Sequence, residues 1–170
     1  MASSSFFQKI GNSLIFFIVL LQAQTLPATC MKLKYQSEID LLSPSFVGFS
    51  EIDNKPAFRW VFADINHPNN FLPVPKTNPG RVYTDFKDWA ISFFVSKKHS
   101  KDRLLHLLSK SPKLYKILGT HTAEGIINKV DGLCEDECDS DGHFNHFEYK
   151  ETDFYKEDRF KIIETLVADA

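Results

Sequence analysis

The stretch "CEDECDSDGHFNHFEYKE", residues Cys134 to Glu151, decides how the rest of the chain is read. It gathers acids, two cysteines and two histidines around a single glycine, Gly142. With Gly142 as a sharp turn, Glu137, Asp139, Asp141, Asn145 and Glu148 fall at a spacing that points oxygen atoms inward around a hard cation. His143 contributes its backbone carbonyl in that arrangement, and Phe144 turns toward a core.

Twelve-residue calcium loops carry acids at positions 1, 3 and 5, Gly at 6, an apolar residue at 8 and Glu at 12. Residues 137–148 fill each of these, with Glu at position 1 where Asp is usual. Over this segment the chain resembles the EF-hand calcium-binding superfamily. The resemblance implies a helix-loop-helix unit, Ca2+ as the bound ion, and Glu137, Asp139, Asp141, His143, Asn145 and Glu148 as its ligands. Two other readings stand beside it. His143, His146, Cys134, Cys138 and Glu148 are all zinc-ligating types, although their spacing matches no common zinc pattern. "DSDG" is also ordinary turn chemistry between helices.

Working outward, helical spacing dominates after Gly80. Phe86, Trp89, Ala90, Phe93 and Phe94 recur every three to four residues behind Thr84 as N-cap. Ser100 starts a Leu-rich helix, Ser111-Pro112 starts another that ends at Gly119, and Thr122 caps a helix carrying Ile126, Ile127, Val130 and Leu133 into the acidic stretch. A last helix spans roughly 154–168. Before Gly80, "SFVGFSEI" and "AFRWVFADI" are aromatic and β-branched on either side of "DNKP", which predicts a small N-terminal β hairpin. Residues 66–80 form a proline-rich loop. The expected fold is therefore mainly α, an EF-hand-like helix-loop-helix within a helical domain of residues 81–170, behind a Pro- and aromatic-rich segment 24–80. An α+β fold is the alternative.

Residues 1–23 read as a secretory signal peptide with an apolar run from Leu14 to Leu21, removed near Ala23 or Ala28. That run is too short to cross a bilayer, which needs about 20 apolar residues, and no later run provides a stable membrane anchor. Secretion favours one disulfide among Cys30, Cys134 and Cys138, with the pairing open. A formal net charge of −2 supplies no field for gathering phosphates and argues against nucleic acid as a partner. Six scattered histidines come with no nucleophile elbow, phosphate loop or His-Glu protease motif. The sequence thus predicts a secreted, extracellular calcium-binding protein in which the ion is structural. A secreted interaction protein with an extracellular protein partner is the rival, and a small secreted hydrolase is the third reading.

Overall fold

A computed structural model of the chain describes residues 31–155 and 159–167. The signal-peptide segment, both cleavage positions and Cys30 lie outside the described residues. From Lys32 onward the structure is built on a seven-stranded antiparallel sheet with strand order β1-β5-β6-β3-β2-β4-β7. The strands are β1 (Phe49–Ser50), β2 (Lys55–Val61), β3 (Ile91–Phe94), β4 (His121–Ile127), β5 (Gly132–Glu135), β6 (His143–Glu148) and β7 (Phe160–Thr165). Among the described residues the α-helices are α1 (Gln36–Asp40), α2 (Val74–Thr77), α3 (Lys97–Lys110) and α4 (Tyr115–Leu118).

The mainly α expectation is overturned by this sheet. The segment expected to be a helix behind Thr122 is β4, where Ala123, Gly125 and Ile127 are buried and Glu124 and Ile126 are exposed. Its apolar residues fit a helical period by coincidence. The β-branched Thr122, Ile126 and Ile127 favour extended backbone, and a mid-run glycine costs a helix about 1 kcal/mol. The segment 86–94 splits into a 3₁₀ turn, Phe86–Trp89, and then β3. Both faces of β3 are covered, so Phe93 and Phe94 are both buried and the alternation that marks a half-exposed strand is erased. The final helix expected over 154–168 is replaced by β7. The Leu-rich helix does form, as α3, but begins at Lys97 with the Ser96 side chain accepting from His99 N; Ser100 is buried inside it. The N-terminal strands also form, yet not as a hairpin: β1 pairs with β5, and β2 lies between β3 and β4.

One face of the sheet carries Ala57, Val61, Ile91, Phe93, Ala123, Ile127, Cys134, Phe144 and Phe160. The Phe93 and Phe160 rings stack with centroids 5.6 Å apart, although β2 and β4 lie between their strands. In a flat sheet three strand spacings would separate them by about 14 Å. The sheet is therefore tightly curled, and the small residues Ala57, Ala123 and Gly125 on the intervening strands make room. A Cβ on Gly125 would stand 2.6 Å from the Phe160 ring. Each phenylalanine fully buried in this interior contributes about 1.5–3 kcal/mol. The opposite face is covered in two parts. Leu33, Ile39, Phe46, Phe49, Phe86 and Phe147 form a second apolar cluster. Further along, α3 seals the sheet, with Leu104 buried, Trp60 Nε1 donating to Ser100 O at 2.9 Å, and Ser100 Oγ facing Thr122 Oγ1.

Candidate functional site

The acidic stretch that suggested a helix-loop-helix is the β5–β6 hairpin. Gly142 N donates to Asp139 O and Asp139 N donates to His143 O, each at 2.9 Å. Gly142 has φ 70°. This is a type I turn closed by a left-handed glycine, the form in which Asp is favoured at the first position and Gly at the fourth. The glycine is required twice over, because a Cβ there would lie 2.5 Å from His99 Cγ.

The hairpin commits the residues expected to converge on calcium to other partners. Asp139 Oδ1 accepts from Asp141 N and His143 N, both at 2.9 Å, and its Oδ2 stands 3.7 Å from His143 Nδ1. Asp141 pairs with Arg103 at 3.0 Å. Asn145 N and Nδ2 both donate to Glu135 Oε2, and Glu137 is exposed beside the turn. Glu148 lies five residues along β6 from His143, roughly 16 Å away along an extended strand. It is buried there against Lys34 Nζ at 3.2 Å. Asp139, Asp141 and His143 are thus brought close; Asn145 and Glu148 are not. Among the described residues no group of three or more His, Cys, Asp or Glu side chains is placed to hold a metal ion, which corrects the metal-binding expectation. The disulfide expectation is corrected as well. Cys134 is buried, Cys138 is exposed in the turn, and both are free.

A different site arises where β2 and β3 part. These strands share a single bridging pair, Phe58 with Phe94, because β2 keeps its full ladder with β4 while β3 keeps its own with β6. Past Arg59 they diverge and a cleft of about 180 Å³ opens. Trp60, Phe62, Leu72, Phe94 and Leu118 supply apolar walls, and Arg59, Asn69, Asn70, Thr77, Asn78 and Ser92 are the polar residues of the lining. Exposed Val74 and Ile117 belong to the same lining, at its outer edge.

The cleft is held in shape by two side chains absent from the sequence-derived site. Asn70 is buried; its Oδ1 accepts from Phe62 N at 2.8 Å and its Nδ2 donates to Asp64 O and Ile65 O at 2.9 Å, which closes loop 62–70. Arg59 bridges the gap left by the missing ladder. Its Nη1 donates to Ser92 O at 2.6 Å, its Nη2 to Leu72 O at 3.2 Å, and its Nε to Asn70 O. Burial lowers the Arg59 pKa to about 10, against smaller opposing effects of Tyr155 and Glu148, so it stays charged at neutral pH. The signal in sequence was Arg59 itself, a cation standing between Ala57 and Val61 on the period-two inner face of "AFRWVF".

No protein-family model, no curated protein and no solved structure matches the chain. Among the described residues, no helix is long and apolar enough to cross a membrane.

Proposed function

We propose that this protein is a small-molecule-binding module whose ligand site is the β2–β3 cleft. The observation that carries the reading is the cleft itself: strand divergence opens it, aromatic and aliphatic side chains wall it, and a few fixed polar groups converge in it. That combination is the common makeup of ligand pockets. Binding without turnover is the reading its chemistry favours, because Arg59 is the sole ionisable side chain among the lining residues. No carboxylate, imidazole or thiol there would act as a general acid or base.

Size narrows the ligand class. A dry cavity of about 150 Å³ accepts benzene, so a cleft of about 180 Å³ suits a single ring with a short arm. Ligands of about ten heavy atoms bind modestly, with Kd of order 0.1–1 mM expected. The test is a ligand-observed NMR screen of single-ring compounds against the full chain and a Thr77→Trp variant, Thr77 being a half-exposed residue of the cleft lining. Saturable binding to the wild type that the variant loses supports the site. Binding that the variant keeps unchanged would falsify it.

A further inference from the structure

We propose that the ligand of this cleft is an anion, a compact carboxylate with an aromatic or short branched apolar body, whose head group pairs with Arg59. The inference rests on the cleft being a ligand site and adds the chemical class of what it takes.

The first observation is the lack of a directly bonded counter-ion: Glu148, itself paired with Lys34, acts on Arg59 only as a smaller electrostatic effect than burial. A guanidinium withdrawn from water is normally paired with a carboxylate, because its desolvation is costly and only opposite charge offsets it well. Arg59 instead has neutral carbonyl partners, Asn70 O, Ser92 O and Leu72 O. Among the described residues its hydrogen bonds reach no carboxylate. Three of the five guanidinium N–H groups are used on those carbonyls. The other two have no acceptor among the described residues, while the residue itself lines the cleft.

The second observation is the neutrality of everything else around the cavity. Apart from Arg59, the lining consists of apolar, amide and hydroxyl side chains. An entering anion therefore meets one positive charge and no negative one among the lining side chains, between largely apolar walls that lower the local dielectric and strengthen the attraction. A carboxylate fits the remaining donors because its two oxygens accept from a planar guanidinium in fixed geometry, giving shorter and stronger bonds than a neutral acceptor makes. The third is the ceiling set by volume, which leaves space for one ring or a short branched chain behind the head group and excludes long acyl chains from full burial.

The deciding experiment compares phenylacetate with its neutral isostere phenylacetamide on the unmodified full chain, by calorimetry and by the fluorescence of Trp60 in the cleft wall. Phenylacetate binding about tenfold or more tightly, with an advantage that shrinks at high salt, is the expected result. Equal affinities would overturn the anion inference while leaving the cleft reading intact. Failure of both compounds to bind would sink the cleft reading and this inference together. Arg59→Gln should abolish the acid's advantage, and Arg59→Lys should keep part of it, as a point charge without the planar fork. If the Arg59 variants do not fold, the wild-type comparison decides alone, with loss of phenylacetate binding in Thr77→Trp placing the anion in the cleft. Retention there of full phenylacetate affinity would contradict the proposal.

Discussion

Cys134 Sγ and His146 Nδ1 face each other across β5 and β6 at 3.2 Å, both fully buried. The pair resembles a catalytic thiol and base in composition, but its surroundings give it the opposite character. Burial pushes the Cys134 pKa up to about 12, with Lys55 pulling it down only slightly. Burial also lowers the His146 pKa to about 3, despite the opposing influence of Asp131. Both partners are neutral at physiological pH, and a neutral thiol is a poor nucleophile. Alkylation of the native protein followed by peptide mapping should therefore label Cys138, exposed in the turn, and spare Cys134 until denaturant is added. Native labelling of Cys134 would mean that the hairpin opens readily.

Opposed effects on stability follow from His146 and Glu148. His146 drops from 6.5 to about 3 on folding, so the unfolded chain binds the extra proton and stability falls as pH drops from 6.5 toward 3. Glu148 moves the other way, raised from 4.5 to about 7 by burial that outweighs the nearby Lys34 ammonium. The folded chain holds its proton, and stability falls as pH rises from 4.5 to about 7. The ceilings are about 5 kcal/mol for His146 and about 3 kcal/mol for Glu148. Between 4.5 and 6.5 the two oppose each other; below that window His146 acts alone. Denaturant titrations across pH should show Glu148→Gln gaining stability at and above pH 7, and His146→Leu flattening the acid limb.

The tight curl of the sheet depends on Gly125 beneath Phe160. Gly125→Val should cost about 1–3 kcal/mol through overpacking, with Phe160→Leu in the same chain recovering part of the loss. An unaffected melting temperature in Gly125→Val would mean that the β4–β7 interior is looser than described.

Asp139 organises the hairpin turn through its two backbone hydrogen bonds, each contributing about 0.5–1.5 kcal/mol. Asp139→Ala should lower stability by about 1–2 kcal/mol, equally in calcium and in chelator, since the bonds concerned are internal. A loss confined to calcium-containing buffer would return the ion to the account.

How much of this was legible in the sequence varies from element to element for physical reasons. "AFRWVF" announced β2 because aromatic and β-branched residues leave a helix little advantage there. The requirement for glycine at position 142 was also visible, but "DSDG" satisfies two structures at once: Asp at the start and a left-handed Gly serve a metal loop and a type I hairpin turn equally. What separates them is the fate of Glu148 and Asn145, and that depends on Glu135 across the hairpin and on β3 and Lys34, partners far away in the chain. Phe86 to Phe94 looks helical because β3 is covered on both faces and loses its alternation, whereas Thr122 to Leu133 hides its alternation in small residues: Ala123 and Gly125 are buried while the apolar Ile126 faces out. The cleft could not be read at all. It exists because two strands stop pairing after Phe58 and Phe94, a property of register that no local pattern encodes.

The most direct measurement of the central claim is backbone and indole amide shift mapping of the labelled full chain during titration with phenylacetate. The account predicts saturable changes confined to Trp60 Nε1, Phe62, Asn70, Ser92 and Leu118 around the cleft. Changes clustered instead at the 139–143 turn, or spread over the surface without saturating, would contradict it.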